Sequence, residues 1–173
     1  PIIKAAMTLL RLVQQESPNW QTVRTCFTHP ISLSIIPEPN RADFEKNLKI
    51  LDIALRRSGK IKFNEADDVF FRMLEAENKF PKHFVNSAKS AAGIIVGCLS
   101  SLRCEDESVI GKQFESIIES ITVEYTSDDK MEIRSLEELL KSLKHLNKVI
   151  DDTGLELPGF IFQRELEEAL SKI

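Results

Sequence analysis

The sequence predicts an all-α protein of seven or eight helices, and three observations predict it. Apolar residues recur at three- and four-residue steps through most of the chain, helix starts fall about twenty residues apart, and no stretch alternates long enough to build a sheet. Taken in pairs, such helices repeat at about forty residues, which suits an open α-solenoid whose pairs bury their apolar faces on one another. A closed helical bundle accommodates the same helix count. Residues 1–173 are expected to form a single helical domain, and a chain opening on Pro1 and already helix-like at Ile2 reads as a fragment of a larger protein.

The elements follow in order. Ile2, Ala6, Leu9, Leu10 and Val13 share one face of a helix over 2–16. In "SPNW", Ser17 is the expected N-cap and Pro18 the first helical position of a short helix carrying Trp20, Val23, Arg24 and Phe27. "THPISLSIIPEPN", 28–40, holds three prolines and is expected to be an extended, partly buried connection. Asn40 with Asp43 resembles a capping box for a helix in which Phe44, Leu48, Leu51, Ile53 and Leu55 lead to Arg57, and Ser58-Gly59 stops it. Asn64 is expected to cap the next helix, with Glu65, Asp67 and Asp68 at its positive end and Val69, Phe70, Met73 and Leu74 as its apolar side. Pro81 opens a helix over about 82–102, and "CEDES" leads into one carrying Val109, Ile110, Phe114, Ile117, Ile118 and Ile121. Ser135 and Glu138 form a capping box at the start of, or inside, a helix in which Leu136, Leu139, Leu140, Leu143, Leu146 and Ile150 run toward Gly154. "LELPGFIF" reads as a hydrophobic loop before a last helix over 162–172.

Composition narrows the function classes. Hydrophobic residues at 42% and charged residues at 29% are ordinary for a globular chain, and a net charge of −4 argues against nucleic-acid binding by bulk attraction. Ten Phe against one Trp and one Tyr point to rings used for packing. Cys26, Cys98 and Cys104 have neither disulfide-framework nor zinc spacing, so an intracellular, nuclear or cytoplasmic setting is expected.

"NSAKSAAGIIVGCLSSL", 86–102, admits three readings: phosphate loop, membrane helix or core helix. It lacks the Gly-x-x-x-x-Gly-Lys-Ser/Thr order, and its uncharged run, Ser90 to Leu102, falls short of the roughly twenty residues a membrane span needs. As a helix it gathers Ala88, Ala91, Ala92, Ile95, Leu99 and Leu102 on one broad face. Gly93 and Gly97 then fall on a common side, where a neighbouring backbone is expected to press close. Residues 90–102 resemble the inner helix of an armadillo repeat, small residues followed by spaced leucines and a polar turn. Ser100 or Ser101 replaces the usual asparagine, and "RCEDES" the usual glycine turn. The resemblance implies a HEAT- or armadillo-type scaffold offering a protein-binding surface, with no catalysis and no cofactor.

Constellations for chemistry are sparse. Cys26 and His29 make the only local Cys/His pair, and no orienting group accompanies them. His83 and His145 stand alone. The acidic pairs Asp67/Asp68, Glu115/Glu119, Asp128/Asp129, Asp151/Asp152 and Glu167/Glu168 lack the order of a calcium loop and read as helix starts and solvated faces. Two basic clusters are candidate partner-binding residues: Arg56, Arg57, Lys60 and Lys62 at a helix end, and Lys141, Lys144 and Lys148 along one helix face, with Glu137 as an i,i+4 partner for Lys141. Phe160 and Phe162, with Leu155 and Leu157, are expected to stand out on their loop and either cap the core or grip a partner. The expected function is therefore a protein–protein interaction scaffold within a multi-subunit complex, binding a peptide or helix away from membranes. The alternative is a nucleic-acid-associated helical domain using the basic clusters.

Overall fold

The computed structural model describes residues 2–103 and 105–171, so Pro1 and Cys104 lie outside the described residues. Among those described the protein is all-helical, without a strand. Its α-helices are α1 (Ile2–Gln14), α2 (Trp20–Thr28), α3 (Phe44–Arg57), α4 (Asp68–Glu77), α5 (Lys82–Leu102), α6 (Ile110–Glu124), α7 (Lys130–Thr153) and α8 (Gly159–Leu170). They group into two compact units: a mid-chain unit, Arg11–Ser101, and a terminal unit of the residues up to Leu10 with those from Leu102 on. In α1 Ile2, Ala6, Met7, Leu9, Leu10, Leu12 and Val13 are all buried, so this helix is covered on more of its circumference than the sequence face implied.

In the mid-chain unit Asn19, not Ser17, caps α2: its side chain accepts from the Gln21 N–H at 2.8 Å, while Ser17 Oγ donates to Asn64 at 3.1 Å. The chain ahead of α2 is clipped to the segment after α3 by Trp20 N–H to Ile61 O (2.7 Å) and Phe63 N–H to Pro18 O (2.9 Å). The Trp20 and Phe63 rings stack at 5.9 Å. Residues 28–40, expected to be extended, instead form 3-10 turns at Pro30–Ser34 and Glu38–Asn40 that bury Ile31, Ser32 and Ile36. A proline at the start of each turn presets a helical φ, so the residues that rule out an α-helix are the ones that begin these turns.

Other caps and faces also shift. The Asn40–Asp43 box is absent, because α3 starts after Asp43 without a side-chain cap. Asp67, not Asn64, caps α4 by accepting from the Phe70 N–H at 2.8 Å. With that start, Phe70, Phe71 and Leu74 turn inward, while Val69 and Met73 are exposed. On α3 Ile53 is exposed and Asp52 is buried. In α5 the buried stripe is Val85, Ala88, Ala91, Ala92, Ile95, Cys98 and Leu99, close to the predicted face. Gly93 and Gly97, expected under a neighbouring backbone, are exposed, and nothing lies within 4 Å of the point where a Cβ would stand. The alanine-rich stripe already provides the close-packing side, which leaves the glycines facing outward.

In the terminal unit α6 and α7 pack along their lengths, and α8 closes on both. Ile110, Phe114, Ile117, Ile118 and Ile121 of α6 are buried, as are Leu136, Leu139 and Leu143 of α7 and Phe162 and Leu166 of α8. Asp129 caps α7 by accepting from the Met131 N–H at 2.8 Å. Ser135 is thus interior to the helix and donates back to Met131 O at 2.7 Å, and the expected Ser135–Glu138 box does not form. Gly154, at φ 65°, ends α7 as expected. "LELPGFIF" is loop only to Pro158, because Pro158 serves as the N-cap of α8. Phe162 therefore lies on a helix, 1% exposed and edge-on to Phe114 at 5.9 Å, while Phe160 is 74% exposed.

Gly111 is the glycine that close packing requires. A Cβ there would collide with Asn147 Oδ1 and the Phe162 ring. Gly111→Ala is expected to destabilise the protein by about 2 kcal/mol through overpacking, measured by urea unfolding. Gly93→Ala, facing open space in a helix, is expected to stabilise it by up to about 1 kcal/mol.

Candidate binding surface

The Arg56–Lys62 cluster is built around a buried carboxylate. Asp52 is 9% exposed and accepts from Trp20 Nε1 at 2.9 Å and Arg56 Nε at 2.9 Å; its other oxygen lies 2.8 Å from a terminal guanidinium nitrogen of Arg56 and 3.3 Å from Arg24 Nε. Arg56 is thereby tied to Asp52, although its own side chain remains largely exposed. Lys60 lies 3.6 Å from Glu65. The backbone N–H groups of Lys62 and Ile61 both donate to Glu65, which holds that carboxyl below its ordinary value, chiefly through Lys62. Arg57 is different: its guanidinium lies 5.9 Å from the Phe80 ring centroid, and among the described residues no carboxylate pairs with it.

The lysine stripe of α7 is likewise engaged at two of its three positions. Lys144 pairs with Glu119 of α6 at 3.0 Å, and Lys141 lies 3.8 Å from Glu138 rather than the expected Glu137. Lys148 lines a polar groove between α6 and α7 together with Lys112, which pairs with Asp151 at 3.1 Å. Asn147, buried, donates to Gly111 O at 3.0 Å and to Glu115 at 2.7 Å. Among the described residues no group of His, Cys, Asp and Glu has the arrangement of a metal site, and no helix is long and apolar enough to cross a membrane.

The outward face of α5 forms the floor of a groove in the mid-chain unit. Ile35, Pro37 and Asn40 of the 3-10 segment face Ser90, Gly93, Ile94, Gly97, Cys98 and Ser101 of α5 across about 510 Å³. The lining includes no charged side chain. Cys98 Sγ donates to Ile35 O at 3.5 Å, tying the two walls, and burial raises its pKa. Sequence reasoning placed the glycines on one side of α5 but missed the opposite wall, whose signal was the Pro30–Pro37–Pro39 spacing read only as breakage.

Cys26 and His29 are adjacent without forming a nucleophile–base pair. His29 Nδ1 accepts from the Ile31 N–H at 3.2 Å and caps the first 3-10 turn. Cys26 is 1% exposed, and burial pushes its thiol up to about 12, so it holds its proton at neutral pH.

No known protein family matches the chain, and no curated protein and no solved structure matches it either. The likeness to armadillo and HEAT repeats rests on residues 90–102 and the helix pairing at about forty residues alone.

Asp52→Ala leaves an indole N–H and two guanidiniums without their acceptor and is expected to cost roughly 2–3 kcal/mol in chemical denaturation, discounted for the partial exposure of both arginines. Cys26 gives a pH signature. Its thiol ionises near 9.0 ordinarily and near about 12 when folded, so the unfolded chain gives up this proton first. Stability is unaffected by the group below pH 9 and falls above it, by about 1.4 kcal/mol per pH unit until the folded thiol itself ionises. Cys26→Ala should remove that component from the alkaline limb of a stability–pH curve.

Proposed function

We propose that the protein is a non-catalytic binding module that receives a helix of a partner protein in the groove between α5 and residues 35–40. The carrying observation is the uncharged lining of that groove over exposed Gly93 and Gly97. Two glycines one turn apart remove side-chain bulk, so a partner backbone approaches closely and its ridge packs beside Ile94 and Ile35. With no charge on the walls, the fitting occupant is a helix whose docking face is apolar and uncharged, the helix-in-groove mode of recognition.

This reading keeps the scaffold within an intracellular multi-subunit complex. Cys26 and Cys98, both free, support a reducing compartment. Within the terminal unit α8 meets both α6 and α7, and the residues up to Leu10 join those from Leu102 on, which suits the closed helical bundle better than a sequential stack of HEAT or armadillo type. The ion pairs on Arg56, Lys60, Lys141 and Lys144 weigh against the nucleic-acid alternative, because paired cations are poorer phosphate ligands.

Selection from a displayed library of stapled helical peptides tests the reading. The bound set is expected to carry an uncharged apolar face, and the Gly93→Leu/Gly97→Leu variant to lose roughly tenfold in affinity while retaining its helical circular dichroism. Lys141→Glu/Lys144→Glu/Lys148→Glu should bind as the parent does. A bound set dominated by charged faces, or glycine variants that bind normally, sinks the groove as the site.

A further inference from the structure

A second surface in the mid-chain unit differs from the groove in chemistry. A cleft of about 350 Å³ at the end of α3 is lined by Arg57, Ser58, Met73, Leu74, Glu77 and Phe80, together with Lys79. We propose that this cleft binds an acidic side chain of a partner peptide, with a large apolar neighbour of that side chain seated on Met73.

The two consecutive arginines divide the work. Arg56 is bound by Asp52, at 2.8 Å and 2.9 Å, whereas among the described residues Arg57 has no carboxylate partner. Arg57 stands instead over Phe80, and Phe80 lies flat against Phe84, with centroids 4.8 Å apart and planes at 4°. A guanidinium resting on an aromatic face keeps its in-plane N–H donors available for a bidentate carboxylate and loses less freedom on binding one. The acid that lines the cleft, Glu77, is paired with Lys79 at 3.0 Å, so the positive charge at Arg57 is not cancelled from within.

The apolar part of the cleft has its own signature. Met73 is 46% exposed although its neighbours Phe71 and Leu74 are buried. Methionine is the aliphatic side chain that best adapts to varied partner shapes. The position of Arg57 at the C-terminal end of α3 stabilises a cation there in any case. That effect explains the charge; it does not explain the stacked Phe80–Phe84 ledge or the exposed thioether. A nucleic-acid strand fits less well, since it needs several cations in a row and Arg56 and Lys60 are held by Asp52 and Glu65.

The test uses an array of short random peptides probed with the full chain, with a thymidine oligonucleotide as competitor. Bound peptides are expected to be enriched in Asp or Glu beside Leu, Ile, Phe or Met. Arg57→Gln should reduce binding of the enriched peptides roughly tenfold and abolish the acid preference, and Met73→Lys should abolish the apolar preference. Gly93→Leu/Gly97→Leu should leave both preferences intact, which separates this cleft from the α5 groove. Absence of acidic enrichment, enrichment that survives in Arg57→Gln, or displacement of the peptides by the oligonucleotide overturns the proposal.

Discussion

Asp52 sits on α3 with its carboxylate turned into the mid-chain unit, and a charge placed that deeply must be answered by donors. It is answered from two helices: the Trp20 indole and Arg24 from α2, and Arg56 from its own helix. The bond to Trp20 fixes the indole so that its face lies along Phe63. That stacked pair sits where residues 18–20 are clipped to 61–63, so α2, α3 and the turn ahead of α4 share one anchor. The same carboxylate decides the surface chemistry. By holding Arg56 it leaves Arg57 as the cation that can lean on Phe80, and two adjacent residues of one type acquire opposite roles.

The second organising feature is the division of α5 into an alanine-rich buried stripe and a glycine-bearing outer face. Exposed glycines in a helix interior each cost about 1 kcal/mol relative to alanine, because they free the unfolded backbone and contribute no side-chain contact. Gly93 and Gly97 have room for a Cβ, so nothing within their own unit requires them. A helix that carries two such residues side by side gives up stability for a smooth face. Ile35 and Pro37 supply the opposite wall, held at Cys98 by the thiol–carbonyl contact. This combination of local cost and shaped space supports a binding role for the face more directly than the resemblance to a repeat helix does.

Much of the fold was legible because helical periodicity is written in large residues. The buried faces of α5, α6 and α7 follow from Ala88 to Leu99, Ile110 to Ile121 and Leu136 to Leu143 with little displacement. Helix starts were harder to read. Ser17, Asn40, Asn64 and Ser135 are all chemically competent caps, yet Asn19, Asp67 and Asp129 took the role by side chain where one was taken. Each stands within a few residues of a rival, and tertiary packing chooses which turn comes first. The error propagates: an α4 starting at Asp68 rotates Val69 and Met73 outward, and an α8 starting at Gly159 rotates Phe162 inward. Of the candidate site, charge clusters were visible but the burial that commits their partners was not: Asp52 stands only four residues before Arg56, yet its place in the core depends on Trp20 and Arg24 of another helix, and Glu119 is distant in sequence from Lys144.

The terminal unit shows why a run of charge is a poor guide to a surface. Lys144 of the stripe reaches across the α6–α7 groove to Glu119, as Lys112 of α6 does to Asp151, and Lys141 lies near Glu138, so two of the three stripe lysines are met by carboxylates of their own unit. Beneath it Asn147 is buried and bonded to Gly111 O and Glu115. A buried amide satisfied in only one alignment penalises every other register of two otherwise interchangeable leucine and isoleucine faces. Gly111 makes that alignment sterically available, because any side chain there would occupy the space of Asn147 and Phe162. The register of α7 on α6 thus depends on one missing methyl group, and the ion pairs above it form as a consequence of that register.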